Sequence, residues 1–255
     1  GNHSKFSAYV AECNRLELKV LSPSVNEGEY EFYFDGKDIH IGLIAIKGLG
    51  KNLIQSIKAE REIRPFKSFC DFCSRMIKRD LNRRSLQGLI KSSALDGLGL
   101  NRRQMMVLSD DILEKISSRK RKNLEGQLSF FSNGDTEEEF EFSIPNVSEF
   151  SSKELLHMEK ESTGIYISGH PVREYQDVIQ KGDYITMADL AEIGHGSKCK
   201  DGDRIKMIAI VSSVRLKSTK NNSTMCNVVL EDMYGSVEMF VFSDVLKSVS
   251  GFLRE

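Results

Sequence analysis

The sequence predicts an α+β fold in which a helical region precedes an antiparallel sheet. Between residues 42 and 108, apolar residues recur at helical spacing, as Leu53, Ile54 and Ile57 do. From Asp203 onward the apolar residues instead follow period two or form β-branched runs, which is typical of strands. At 255 residues and 40% hydrophobic content, the chain is long enough for one large or two to three small domains.

The charges of the chain almost cancel, with 36 Lys and Arg against 37 Asp and Glu. This balance excludes a uniformly cationic protein of the histone kind, so any nucleic-acid surface must be local. No apolar run approaches the roughly 20 residues that span a bilayer, and the first residues lack the apolar stretch of a signal peptide. We therefore expect a soluble, cytoplasmic protein. Five cysteines are an odd number, which favours reduced thiols over a disulfide framework.

The N-terminal part of the chain combines a helix with a hairpin. Residues 5–19 carry apolar side chains near helical spacing and predict an amphipathic helix. Residues 30–34 alternate like a strand, Asp35 and Gly36 form a turn, and residues 39–41 return as a second strand. Helical patterns then continue to the Gly97–Gly99 turn and are interrupted at intervals by glycine, proline and capping residues. This predicts several short packed helices.

A glycine hairpin is the sharpest local signal, and it consists of Lys47, Gly48, Leu49, Gly50 and Lys51. Glycine permits backbone angles that other residues avoid and lets the main chain approach a ligand closely. The helix that follows directs unpaired N–H groups and its positive dipole end towards an anion. A DNA phosphate fits this arrangement, whereas an ordinary helix-helix turn remains the alternative. The spacing is not that of a nucleotide-hydrolase phosphate loop.

A second basic helical pair follows, with Asn82 as the expected N-cap of the helix that carries Arg83 and Arg84. Clustered cations near two helix starts would neutralise phosphates and bind duplexes independently of sequence. A solvated charged face is the alternative for each of these residues. Further cations fall in this helix and the adjoining turns: Lys78, Arg79, Lys91, Arg102 and Arg103.

No complete catalytic or metal constellation is found in the sequence. Cys70 and Cys73 form one Cys-x-x-Cys pair among phenylalanines, with no second pair at zinc-site spacing. Packing of small thiols is favoured over a zinc or redox module. No acidic residues pair on adjacent apolar strands as two-metal phosphoryl transfer requires.

The segment of residues 127–131 is an apolar peptide between a basic run and the acidic stretch 134–139. Such peptides dock by inserting apolar side chains into a preformed pocket. Packing against the protein's own surface is the alternative. The acidic stretch is expected to be a linker, and helical character returns over residues 151–180, where Pro171 should break or restart a helix.

Three strand patterns end the chain, at residues 205–211, 226–230 and 237–242, and a helix is expected from Ser243. Three strands and a helix match the first part of a five-stranded oligonucleotide-binding barrel (OB-fold). The last two strands are missing, and an unclosed barrel exposes a strand edge, so we expect a fragment. Candidate stacking residues for single strands are Tyr234, Phe240 and Phe242.

Taken together, the pieces resemble the bacterial replicative DNA polymerase III alpha subunit, a C-family DNA polymerase. The resemblance covers nearly the whole chain and rests on strings in the same order as in that family: Tyr9–Cys13, Lys19–Leu21, Val25–Glu27, Gly42–Gly50, Phe66–Cys73, Leu89–Asp96 and Thr163–Pro171. It implies four segments. Residues 1–41 would end the fingers domain, and 42–108 would form tandem helix-hairpin-helix motifs. Residues 109–180 would hold the clamp-binding peptide, the acidic linker and a helical segment, and 181–255 would be a truncated OB-fold domain.

The resemblance also implies residue roles. The hairpin Lys47–Lys51 would hold the backbone of the primer-template duplex, with Lys78, Arg79, Arg83 and Arg84 as its partner surface. The peptide that docks the sliding clamp would be Gln127, Leu128, Phe130 and Phe131, where Phe130 replaces a smaller aliphatic residue.

The implied function is a part of a DNA-directed DNA polymerase that supports processive synthesis. The family's catalytic palm aspartates lie upstream of the matched region, so no residue of this chain inherits them, and the Mg²⁺ of the full enzyme has no site here. Expected partners are duplex DNA, the sliding clamp, a single-stranded DNA template and other replisome subunits, without a membrane. A free-standing, non-catalytic DNA-binding adaptor of replication or repair is the alternative.

Overall fold

The computed structural model describes residues 9, 12–13, 16, 18–76, 79–125, 143–191, 198–218, 224–249 and 251–253, with the backbone alone over 116–125. The chain forms two compact units. One is residues 19–168, here the helical unit, and the other is residues 169–255 with 1–18, here the sheet unit. Each unit has its own hydrophobic cluster. The helical unit takes in parts of the first three segments predicted from the sequence.

The described part of the helical unit contains five α-helices and a small sheet. The helices are α1 (Lys51–Ile63), α2 (Phe69–Met76), α3 (Arg83–Lys91), α4 (Arg102–Glu125) and α5 (Ser152–Thr163), and a 3-10 helix spans Leu43–Ala45. The strands are β1 (Val20–Leu21), β2 (Tyr33–Phe34) and β3 (Ile39–His40), in the order β1-β3-β2. The pair β2 and β3 is antiparallel, which confirms the predicted hairpin.

The core of the helical unit is formed by the apolar faces of its helices. Leu53, Ile54 and Ile57 of α1 are buried, as their spacing predicted. Helix α2 buries Cys73 completely, and burial raises the pKa of that thiol well above its usual value. Cys73 is therefore an unreactive packing residue, while Cys70 is half-buried at the edge of the same cluster.

Side chains fix where the helices begin. The Asn82 carboxamide accepts from the Ser85 amide at 3.0 Å, and the Ser85 hydroxyl accepts from the Asn82 amide, which confirms the predicted cap of α3. At α4, the amides of Arg102 and Arg103 donate to the Glu149 carboxylate at 2.8 and 3.1 Å. Helix α5 ends at Gly164, whose φ of 88° is the left-handed conformation common after helices.

The sheet unit contains an antiparallel meander. Its elements are a 3-10 helix (Pro171–Tyr175), α6 (Gln176–Lys181), α7 (Met187–Ala191), β4 (Ile210–Ser218), β5 (Thr224–Asp232), β6 (Gly235–Val241) and α8 (Ser243–Val249). The strand order is β4-β5-β6, as the turn spacing predicted. The helix at Ser243 and a restart at Pro171 also match the prediction.

One face of this sheet forms the core of its unit. Cys226, Val228 and Val241 are buried there, with Leu246 and Val249 of α8 packed against them. The three strands form no closed barrel within the described residues. The predicted α+β class is therefore confirmed, whereas the oligonucleotide-binding barrel remains a prediction.

Of the predicted helix over residues 5–19, the described residues Tyr9, Glu12 and Cys13 are helical, whereas Leu16 lies in a turn and residues 18–19 lie outside any helix. The acidic stretch 134–139 lies outside the described residues. Over the part of the chain that the structure describes, no helix combines the length and apolar character that crossing a membrane requires.

Two isoleucines of α1 test the core assignment. Ile57 is 0% exposed and Ile63 is 75% exposed. We expect Ile57→Ala to lower the free energy of unfolding by about 2–5 kcal/mol, because it leaves a cavity. The matched change Ile63→Ala should cost less than about 0.5 kcal/mol. Urea unfolding followed by circular dichroism measures both, and equal effects would contradict this packing.

Candidate nucleic-acid interface

The first hairpin (residues 46–50) joins the 3-10 helix to α1. Gly48 has a φ of +89°, which an L-residue adopts only with strain. Leu49 is buried and anchors the turn in the core. Gly50 is the N-cap of α1 and offers no side-chain acceptor. The first amide groups of α1 therefore have no side-chain cap and are suited to an anion.

The second hairpin lies between α2 and α3 and is described over residues 79–82. Asp80 has a φ of 67° in this turn, and Leu81 is buried. Lys78, one of the predicted phosphate ligands, lies outside the described residues. The turn ends at the Asn82 cap, so that Arg83 and Arg84 occupy the first turn of α3.

Helix α3 and the first hairpin approach each other closely at two glycines. A Cβ atom built on Gly88 of α3 would lie 3.1 Å from the Lys47 carbonyl oxygen and 3.3 Å from the Ile46 side chain. A Cβ atom built on Gly48 would lie 3.2 Å from Nε of Arg84. The start of α3 and the first hairpin are therefore adjacent. Sequence reasoning missed Gly88, although a glycine inside a helical pattern is a signal of close packing.

Two of the predicted cations are available at this place. Lys51 and Arg84 are exposed, and neither side chain forms a hydrogen bond or ion pair with another residue in the described ranges. Two others are partly neutralised: Arg79 contacts Glu60 at 3.1 Å, and Arg83 contacts Asp110 at 2.5 Å. Both of these arginine side chains remain more than half exposed, whereas Glu60 is only 13% exposed and also contacts Arg75 at 3.3 Å.

Lys47 is held by the end of α5. Its amide donates to the Ser162 carbonyl at 2.8 Å, and its ammonium group donates to the Glu161 carbonyl at 2.9 Å. The Glu161 carboxylate in turn accepts from Lys91 of α3 at 2.7 and 2.9 Å. The predicted phosphate ligand Lys47 thus also connects the first hairpin to α5.

Arg102 and Arg103 do not lie among the exposed cations. Arg102 is buried and pairs with Asp96 at 2.8 Å and with Glu159 at 3.4 Å. Burial disfavours its charge, but the hydrogen bonds and charges of the two carboxylates outweigh this, and the pKa of Arg102 is raised. Arg103 lies over the Phe150 ring at 4.5 Å. The expectation that Arg102 joins the phosphate-facing cluster is wrong, because its charge is neutralised in the interior.

The predicted clamp-binding residues Gln127, Leu128, Phe130 and Phe131 lie outside the described residues. Among the described residues, no cluster of three or more His, Cys, Asp or Glu side chains could hold a metal ion. The geometry that the structure provides is therefore that of an anion-binding surface around residues 47–51 and 83–84.

Comparison with known proteins shows what the chain is similar to. The family model of the helix-hairpin-helix motif matches residues 17–105. The chain is 31% identical over 255 residues to the DNA polymerase III subunit alpha of Saccharopolyspora erythraea, covering 94% of this chain and 20% of that protein. It is 32% identical over 259 residues to the same subunit of Borreliella burgdorferi and 31% identical over 257 residues to that of Vibrio cholerae. These two matches cover 100% of this chain and 22% of each relative.

The chain spans about a fifth of the length of these relatives. It is related along nearly its whole length to a segment of DNA polymerase III alpha subunits, which confirms the resemblance inferred from the sequence strings. The helix-hairpin-helix match includes the first and second hairpins and all of α1, α2 and α3.

Two glycines of the first hairpin test its geometry. Gly48→Ala places a side chain at positive φ, and we expect it to lower the free energy of unfolding by about 1–2 kcal/mol. Gly50→Ala is the control, because Gly50 has a φ of −83° and open space around its Cβ position. Its cost should be smaller, about 0.5 kcal/mol, because Ala is a poorer N-cap than Gly but meets no steric conflict at this position. Chemical denaturation of both variants measures the difference, and a harmless Gly48→Ala would contradict the turn.

Proposed function

We propose that this segment grips duplex DNA for a DNA-directed DNA polymerase of replication. The observation that carries the proposal is the close approach of the first hairpin and the start of α3, with Lys51 and Arg84 exposed at that place. The relatives, which are named as DNA polymerase III alpha subunits, support a polymerase over a free-standing adaptor. The substrate of this surface is the sugar-phosphate backbone of the primer-template duplex.

The physical basis is electrostatic and independent of base sequence. Uncapped amides at the start of α1 can donate to phosphate oxygens, and the helix dipole favours negative charge there. Lysine and arginine side chains neutralise phosphates and release counterions. Contacts of this kind fix the orientation of the duplex without discriminating between bases. Within this proposal, Lys47, Gly48, Leu49, Gly50 and Lys51 form one half of the surface.

The other half of the surface is the second hairpin with the first turn of α3. Its proposed phosphate ligands are Lys78, Arg79, Arg83 and Arg84. For Arg79 and Arg83, phosphates would replace Glu60 and Asp110 as partners, which is feasible because both arginine side chains are more than half exposed. Arg84 needs no such exchange among the described residues, so it should contribute most.

The sheet unit is proposed to be the first part of an oligonucleotide-binding domain that contacts the single-stranded template. Phe240 and Phe242 are 52% and 64% exposed, and Tyr234 is 45% exposed. Phe240 lies on β6, Tyr234 and Phe242 flank that strand, and exposed aromatic rings stack with bases of any sequence. The meander and α8 agree in order with the first part of such a barrel.

The segment Gln127, Leu128, Phe130 and Phe131 is proposed to dock the sliding clamp. The support is its sequence: a glutamine followed by apolar residues between a basic run and an acidic stretch. Tethering to a clamp raises the effective concentration of the polymerase at the primer end, which makes synthesis processive.

Within the whole polymerase, this segment would position DNA and would not react with it. Nucleotidyl transfer would depend on Mg²⁺ and on carboxylates outside this sequence. The proposed setting is the cytoplasm, together with other replisome subunits. Duplex grip and clamp docking together would hold the growing primer in place for that reaction.

Lysine variants test the duplex surface. Lys51→Ala should weaken binding about equally for duplexes of different sequence and flatten the salt slope by about 0.9, the loss of one phosphate contact. Lys37→Ala is the matched control, because Lys37 is also an exposed lysine and lies in the turn between β2 and β3. Fluorescence anisotropy with labelled duplexes over a salt series measures both. Unchanged binding by Lys51→Ala would refute its assignment.

The clamp peptide has its own test. Replacing Gln127 and Phe131 by alanine should abolish capture by a purified sliding clamp and leave duplex affinity within about twofold, because the peptide lies outside both hairpins. Surface plasmon resonance with immobilised clamp measures the first effect, and anisotropy the second. If both activities are lost together, the segment belongs to the core and the docking proposal fails.

A further inference from the structure

The end of helix α5 (residues 159–163) contacts the first hairpin and the last residue of α3, the helix whose first turn carries Arg83 and Arg84. The carbonyls of Glu161 and Ser162 accept from the ammonium and amide groups of Lys47 in the first hairpin. These carbonyls belong to the last turn of α5, whose acceptors lack partners within the helix. The Glu161 carboxylate accepts from Lys91 at the end of α3. One helical turn therefore joins the two elements that carry the proposed phosphate ligands.

The position of this turn is set by a carboxylate in the interior. Glu159 is 0% exposed, and its Oε2 accepts from the amides of Ile167 and Ser168 at 3.1 and 2.9 Å and from the Ser168 hydroxyl at 3.1 Å. Its Oε1 faces both terminal nitrogens of Arg102 at 3.4 Å. All its acceptor sites face donors, as a buried charge requires.

Arg102 extends the network to the turn after α3. Its guanidinium donates to both oxygens of Asp96, from Nε at 3.0 and 3.2 Å and from Nη2 at 2.8 Å. The chain Asp96, Arg102, Glu159 thus fixes α5 relative to the segment that follows α3. Arg102 and Glu159 are buried, while Asp96 is about half exposed. A buried ion pair contributes geometry more reliably than stability, because the desolvation of its charges offsets much of their attraction.

We infer that Glu159 is a positioning residue for duplex binding: it holds the end of α5 so that Lys47 and Lys91 fix the first hairpin against α3. This inference rests on the proposed function, and it adds a third element to a surface that the two hairpins alone were expected to form. Glu159 and Glu161 touch no phosphate. They act through Lys47 and Lys91, and Lys47 has a structural contact in addition to its proposed phosphate contact.

The main test is Glu159→Gln in the whole 255-residue chain. The amide keeps the volume but places donors opposite Arg102 or the backbone amides. We expect duplex affinity to fall roughly 10-fold and the salt slope to decrease, because phosphate contacts of the first hairpin are lost. Hydrogen exchange in peptides covering residues 45–51 should become faster while residues 86–90 stay protected. Glu114→Gln is the matched control, since Glu114 is exposed on α4.

A second variant tests the positioning role of the α5 end if Glu159→Gln fails to fold. Glu161→Gln breaks the exposed contact with Lys91 without burying an unpaired charge. If Glu161 acts only as a nearby negative charge, its removal strengthens binding to DNA. The positioning role requires weaker binding instead, with recovery in the charge-swapped double variant K91E/E161K.

The outcomes separate the two proposals. Weaker duplex binding by folded Glu159→Gln and by Glu161→Gln, with faster exchange in the first hairpin, supports the positioning role. Wild-type affinity and exchange in folded Glu159→Gln, or tighter binding by Glu161→Gln, overturns the positioning role and leaves duplex binding intact. A chain that binds no duplex before any substitution overturns the proposed function as well.

Discussion

The close contact between α3 and the first hairpin at Gly88 is the constraint on which the candidate surface depends. With no side chain at this position, the Lys47 carbonyl comes within 3.1 Å of where a Cβ atom would lie. Two segments that are about 40 residues apart in the chain therefore share one face of the molecule. The uncapped start of α1 and the Arg84 side chain become neighbours only because this approach is possible. Any larger residue at position 88 has to displace the hairpin.

Around this contact, some cations are buried and paired with carboxylates, whereas others are exposed. The chain is nearly neutral as a whole, with a formal net charge of −1. Arg102 is neutralised in the interior by Asp96 and Glu159, while Lys51 and Arg84 stay exposed. Net charge therefore says little about anion binding, because the positions of a few unneutralised cations decide the local field. The helix-hairpin-helix match over residues 17–105 covers both of these exposed cations.

The sheet unit forms its hydrophobic core differently from the helical unit. Its core lies on one face of a three-stranded meander and is closed by α8, through Leu246 and Val249. The other face carries Phe240, which pairs across the sheet with Asn227. Half of the strand positions are thus left outside the core, since successive side chains of a strand point to opposite faces. The same alternation made the strands recognisable from the sequence.

The sequence by itself determined the features that depend on neighbouring residues. The β2-β3 hairpin, the turn at Gly48, the Asn82 cap and the order of strands in the meander follow from glycine conformation, side-chain capping and hydrophobic period. Tertiary structure alone decided which cations are available. Arg102 contacts Glu159, which lies 57 residues further along the chain. Lys47 donates to the carbonyl of Glu161, which lies 114 residues further along. No local pattern encodes such pairs, because they exist only after packing brings distant helix ends together.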